Sequence, residues 1–188
     1  MIALLSCMAL AASLHADPDS LEGRFKLQDA ASDDPSVVAE EATRGLRRMM
    51  RNRMRPALEE ALTPSPDMEI RLDGDAYVII GGEERTLRVV PGGPEVELET
   101  PQGETAAIVA ALNEGTLEIR IRTPRAERVQ TITRTEDGLR VVNTFTVEQL
   151  SEPVRAEFIY LRENTSLPPF DESPFIHRTR SAEAEVDR

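Results

Sequence analysis

Within 188 residues the chain carries 34 acidic against 22 basic side chains, a formal net charge of -12, and only one cysteine and two histidines. One cysteine leaves no disulfide scaffold and no thiolate metal cluster, and with His15 in the apolar opening run and His177 deep in a polar tail no histidine is placed for a triad or a metal cluster. An acidic chain without tryptophan is equally unsuited to nucleic acid, which calls for a basic surface and stacking aromatics.

Residues 1–16, MIALLSCMALAASLHA, contain no Asp, Glu, Lys or Arg and end in small residues before the acidic DPDS. The run is shorter than the roughly 20 residues of a membrane span and has the pattern of a secretory signal cleaved after Ala16. A second reading comes from LLSC, Leu4–Cys7, which resembles the bacterial lipobox, where Cys7 would be lipidated and become the mature N-terminus. Retention of the run as an anchor is the third. Each makes the protein exported, periplasmic or extracellular.

One domain is expected over residues 21–162, opening with a short strand at 22–28. An insertion over 34–63, DDPSVVAEEATRGLRRMMRNRMRPALEEAL, then changes the period. Val38, Ala42, Leu46, Met49 and Met50 fall at helical spacing behind an Asp-Asp-Pro-Ser start signal. Pro56 has no N–H to donate and disfavours helix in the residue before it. It is predicted to end a long first helix and to open a short second one, Pro56–Leu62.

From there turn signals recur at about ten-residue intervals: DGD, GGEE, PGGP, PQGE, NEG, TPRAE and EDG. Between them the sequence alternates, with Met68, Ile70 and Leu72 against Glu69 and Arg71, and Leu117, Ile119 and Ile121 against Glu118 and Arg120. A period of two with charge on one face marks a sheet with one buried and one wet side. Strands are predicted at 67–73, 75–81, 84–90, 94–100, 104–113, 116–123, 126–136, 138–148 and 153–162. TAAIVAALN is apolar on both faces and is assigned to a strand because turns bracket it. Closure removes the exposed edges of such a meander. The expected fold is mainly β: a ten-stranded antiparallel up-and-down β-barrel with a helix–turn–helix between strands 1 and 2.

That order of elements resembles the intracellular lipid-binding proteins, the fatty-acid-binding group of the calycins, over residues 21–162. LEGRFKL resembles the family's Gly-x-Trp-x-Leu start, with Gly23, Phe25 and Leu27 on one strand face. AEFIYLRE resembles its last strand, where an Arg-x-Tyr pair holds a ligand carboxylate. Phe25 stands in place of the tryptophan and Phe158 in place of the arginine, so only Tyr160 carries over. The resemblance implies a lipocalin-like barrel that binds an apolar or lipid-like molecule, and no cofactor is expected. Export is foreign to that family and points instead to the exported lipocalin-like domains of bacteria.

Ten strands enclose more space than the eight that side chains just fill, so an apolar cavity and a filled core both fit. Val141, Phe145 and Phe158 are the apolar lining candidates. Tyr77, Asn143, Tyr160 and the face Thr131, Thr133 and Thr135 are the polar ones. No metal site and no catalytic residue is expected: the many carboxylates read as solvated strand faces.

RGLRRMMRNRMRP gathers six arginines in an acidic chain. On one helix Arg44, Arg48, Arg51 and Arg55 form a stripe. Either it is counter-charge for the acidic barrel, with Glu40 four residues before Arg44, or it is a portal surface drawn to anionic membrane headgroups. The tail over 163–188 has prolines and charge without periodicity and reads as disordered. Two functions remain: an exported binding protein for a hydrophobic small molecule, monomeric, or a ligand-free envelope module acting through protein contacts. N-terminal sequencing of the mature protein is expected to return Asp17 or a blocked Cys7; an intact Met1 in a soluble cytoplasmic fraction would end the export reading.

Overall fold

The computed structural model describes residues 20–82, 85–99 and 103–163, so the leader with Cys7 and the tail from residue 164 lie outside the described residues. Ten strands follow one another: β1 Gly23–Leu27, β2 Asp67–Asp73, β3 Ala76–Gly81, β4 Arg85–Val89, β5 Val96–Glu99, β6 Thr105–Asn113, β7 Thr116–Arg122, β8 Ala126–Arg134, β9 Gly138–Val147 and β10 Val154–Arg162. All pair antiparallel in one sheet of order β4-β3-β2-β1-β10-β9-β8-β7-β6-β5, so the first strand lies between the second and the last. TAAIVAALN is β6, held in register between β5 and β7. The two-residue turn after it has Glu114 at φ 48° and Gly115 at φ 75°, the pair of left-handed conformations that a type I′ hairpin requires.

The curled sheet places alternate side chains on a concave face. Phe25, Ile70, Leu117, Ile119, Ile132, Leu139, Val141, Phe158 and Tyr160 lie there at 0–1% exposure, in one apolar cluster. The convex face carries the charges, as in the bidentate pair of Arg140 with Glu157 at 2.6 and 2.7 Å.

Two helices follow β1: α1, Pro35–Thr43, and α2, Arg48–Leu62. Asp34 caps α1, its carboxylate accepting from the Ser36 N–H at 2.8 Å, with Pro35 at the first turn. The break between the helices falls at Gly45–Arg47 and not at Pro56, which sits inside α2. Pro56 and Asn52 are both exposed, so the bond that Pro56 cannot make to the Asn52 carbonyl is lost on the solvent side of α2, whereas Gly45 lowers helix stability where the chain has to turn. The four arginines therefore do not share one helix: Arg44 caps α1, and Arg48, Arg51 and Arg55 belong to α2. Ala39, Leu58 and Leu62 face the concave cluster.

The ring is a half-barrel: among the described residues no hydrogen bond joins β4 to β5. PGGP was expected to make a tight hairpin there, but Pro91 and Pro94 remove two N–H donors beside the turn. The Gly92 N–H bonds the Ala110 carbonyl of β6 at 2.8 Å instead. Closure gives way to another edge protection, a four-residue β5 flanked and interleaved by Glu95, Glu97 and Glu99.

At Gly138 the start of β9 touches β10: a Cβ would lie 2.9 Å from the Tyr160 carbonyl carbon and 3.0 Å from the Arg162 nitrogen, both fixed backbone atoms. Gly138→Ala is expected to destabilise by about 1–3 kcal/mol in urea unfolding, while Gly45→Ala, with open space around it, stays within about 1 kcal/mol of wild type.

Candidate functional site

β8 is the strand whose concave face is polar. Its register pairs Arg128 with Phe145, Gln130 with Asn143, Ile132 with Val141 and Arg134 with Leu139. Since Leu139, Val141, Asn143 and Phe145 are buried, the even-numbered residues of β8 face inward with them. Arg128 donates from Nε and Nη2 to Asn143 Oδ1 at 3.3 and 3.0 Å, and its guanidinium lies 5.4 Å from the Phe145 ring centroid. A cation is thus held on the concave surface by an amide and an aromatic face.

The same register turns Thr131 and Thr133 to the convex side, opposite Val142 and Arg140, which corrects the expectation that the threonine face looks inward. The β-branched odd positions of AERVQTITR look like the buried face, and Arg128 was missed for that reason. The signal was present: reflecting β9 through the EDG turn pairs positions summing to 273, and this puts Arg128 opposite Phe145.

The other expected residues fall into two groups. Val141, Phe158, Tyr160 and Asn143 sit in the packed half of the concave face formed by β1, β2, β9 and β10, at 0–3% exposure, with Phe145 at its margin at 8%. The Tyr160 hydroxyl donates to the Ser65 carbonyl at 2.8 Å, which ties the last strand to the linker after α2. Burial pushes its pKa up to about 12, with Arg128 opposing and Asp67 adding to the shift. Tyr77 lies apart, half-buried in a cleft of about 490 Å³ with Leu72, Leu112, Pro91 and Gly92. Burial raises its pKa, and Glu22 adds to this. Beside the unpaired edges Leu72, Val96, Leu98 and Leu112, all on concave-face positions, stay 42–47% exposed.

The end where β1 begins is closed. Arg134 Nη1 donates to the Ser20 carbonyl at 2.7 Å and Arg162 Nη2 to the Glu22 carbonyl, while Leu21 between them is 1% exposed. Burial, then the neighbouring Arg134, lowers the Arg162 pKa.

At the opposite end the helix pair brings Arg44, Arg51 and Arg55 into one cleft of about 460 Å³ with Glu40, Asn52 and Pro56; Arg48 lies outside it. Arg55 meets Glu40 at 3.4 Å, so Glu40 pairs across the helices and not with Arg44. Met49, on the first turn of α2, is 88% exposed. Among the described residues no three metal-ligating side chains are grouped to hold an ion, and no helix is long and apolar enough to cross a membrane.

No protein-family model and no curated protein sequence matches the chain. Solved structures do. A REP1-NXSQ fatty acid transporter aligns at TM-score 0.51 and 17% identity, over 78% of this chain and 98% of that one. A Schistosoma mansoni fatty acid binding protein in complex with arachidonic acid aligns at 0.49 and 20%, over 76% and 96%. A fatty-acid-binding protein of Drosophila melanogaster brain aligns at 0.49 and 18%, over 76% and 99%. The chain has the calycin-type fold of the lipid-binding proteins.

The raised Tyr160 pKa has a consequence for stability. Above pH 10 an unfolded chain gives up this proton while the folded protein keeps it to about 12, so stability falls as pH rises through that window. Wild type is expected to lose about 1.5 kcal/mol more than Tyr160→Phe between pH 10 and 11.5 in urea unfolding. Equal losses in the two proteins would remove the assignment.

Proposed function

We propose that the chain is an exported, non-catalytic binding protein for an apolar or lipid-like molecule with an anionic group, seated on the concave face with its charge at Arg128. The observation that carries this reading is Arg128 itself, an inward-facing guanidinium on a surface that is otherwise largely apolar. A guanidinium at that position offers paired N–H donors to an anionic group brought in by a ligand. The exposed concave residues Leu72, Val96, Leu98 and Leu112 supply apolar contact beside the unpaired edges. The structure of similar fold at TM-score 0.51 is named a fatty acid transporter, which supports an apolar ligand here. Export rests on the leader over residues 1–16, and a monomer is the working form. The helix pair, with its arginines and exposed Met49, is the surface that would meet an anionic membrane.

The packing of Val141, Phe158 and Tyr160 favours the second reading, a ligand-free envelope module acting through protein contacts. Displacement of a fluorescent fatty acid separates the two. The binding reading expects saturable binding near one per chain. It also expects Arg128→Met to weaken a long-chain carboxylate by roughly 10- to 100-fold while the matching primary alcohol changes little. A folded wild type that binds no probe leaves the ligand-free module. Equal loss of acid and alcohol in the variant removes Arg128 as the anchor.

A further inference from the structure

The arginines of this protein divide into two populations. Every strand arginine whose side chain is described has a partner. Arg24 and Arg71 meet Glu69, Arg88 meets Asp73, Arg120 meets Glu118 and Glu127, Arg122 meets Glu95, and Arg140 and Arg155 meet Glu157. The inward three, Arg128, Arg134 and Arg162, are bonded to Asn143 and to the carbonyls of Ser20 and Glu22. On the helix pair the pattern reverses. Among the described residues Arg44, Arg47, Arg48, Arg51 and Arg53 have no hydrogen bond or ion pair through their side chains, and of the helix arginines Arg55 alone touches a carboxylate. That carboxylate, Glu40, belongs to α1, so no helix arginine neutralises the barrel, although the chain carries 34 acidic residues.

Local physics makes this arrangement costly. α2 opens with Arg47 and Arg48 at its positive dipole end, with no side-chain cap and no acidic residue in its first turn. Arg44, Arg51 and Arg55 then converge on one cleft, so their like charges repel. Asn52 adds an amide donor to the same cleft. Three planar guanidiniums and an amide around about 460 Å³ match a tetrahedral, doubly charged oxyanion, which accepts several paired N–H bonds at once, better than a carboxylate.

We propose that the cleft between α1 and α2 is a binding site for a phosphomonoester, held by Arg44, Arg51, Arg55 and Asn52. Glu40 occupies Arg55 until the anion displaces it. The phosphate is carried either by a lipid headgroup, in which case Met49 and Met50 on the preceding turn reach the acyl region, or by a soluble metabolite. This deepens the membrane reading of the helix pair and depends on it only for the lipid source; the ligand of the concave face plays no part.

The test uses the mature protein and two probes. Glycerol 3-phosphate is titrated while the arginine Nε–H and Asn52 amide signals are followed by NMR. Phosphatidylcholine vesicles containing phosphatidic acid are compared in co-sedimentation with vesicles of equal surface charge containing phosphatidylglycerol, a phosphodiester. A phosphomonoester site predicts saturable shifts confined to Arg44, Arg51, Arg55 and Asn52, or tighter binding to phosphatidic acid, or both. Shifts alone assign a soluble source, and vesicle preference alone a lipid source. Arg51→Gln and Arg55→Lys should each weaken the response by roughly tenfold, the second because lysine keeps the charge but not the paired geometry. Glu40→Gln should strengthen it, a gain that misfolding cannot mimic. Arg48→Gln, outside the cleft, should lower binding to both vesicles equally. No shift with glycerol 3-phosphate together with equal binding to the two vesicles, or no gain in Glu40→Gln, overturns the site. Failure of fatty acid binding on the concave face would leave this result untouched.

Discussion

The last strand sets the plan of this molecule because its backbone has to be satisfied along its whole length. β10 has nine residues and β1 only five, so pairing with β1 covers just the end near Arg162. The chain leaving β1 completes the edge. Gln28 donates to the Ile159 carbonyl at 2.8 Å, Ser32 Oγ accepts from the Ile159 N–H at 3.0 Å, and Asp33 exchanges two bonds with Glu157. A group among these that is shielded from water would cost about 1–3 kcal/mol if left without a partner, which holds this segment against β10. Asp34 follows at once as the cap of α1. The position of the helix pair over one end of the half-barrel is thus a consequence of a strand-length mismatch, and the Tyr160–Ser65 bond fixes where the pair returns to the sheet.

The same edge economy explains the opening between β4 and β5. A sheet whose first strand is central has its edges at strands near the middle of the sequence, where the chain is free to turn without pairing. Prolines at 91 and 94 make use of that freedom, and the glutamates around the short β5 keep the edge from recruiting another chain. The exposed apolar residues on the concave side of this opening are the cost of leaving it open. They are also what gives an apolar molecule a reason to approach it.

Much of this was legible beforehand. The period of two between Gly-rich turns located the strands from β2 to β10, and DDPS marked the start of α1, because each signal is local and acts through sterics or one hydrogen bond. What failed was competition between two local signals or parity over distance. Gly45 and Pro56 both disfavour helix, and Pro56 is tolerated because it faces solvent while Leu58 and Leu62 on the same helix pack on the core. On β8 the β-branched Val129, Thr131 and Thr133 outweighed Arg128, Gln130 and Arg134 in the choice of face, although the hairpin to β9 fixes that choice through its register. The candidate site divided accordingly. Val141, Phe158 and Tyr160 were read as concave-facing and are so, but the burial that makes them recognisable also commits them to the core. Arg128 was hidden because it breaks the pattern by which inward positions are found.

The two ends of the half-barrel do opposite work. Where the chain enters, burial and then the neighbouring Arg134 lower the Arg162 pKa, and each of the two arginines is held by a carbonyl of the segment 20–22. Leu21 completes the closure, and the backbone of Leu72 bonds the Glu22 carboxylate at 2.9 Å. At the helix end the arginines have no such internal partners, apart from the weak 3.4 Å contact of Arg55 with Glu40. The backbone bonds hold Arg134 and Arg162 in place, although the Arg162 Nε is buried without a partner of its own. The same residue type therefore closes one end of the half-barrel and, at the other, lies on the helix pair largely without internal partners among the described residues.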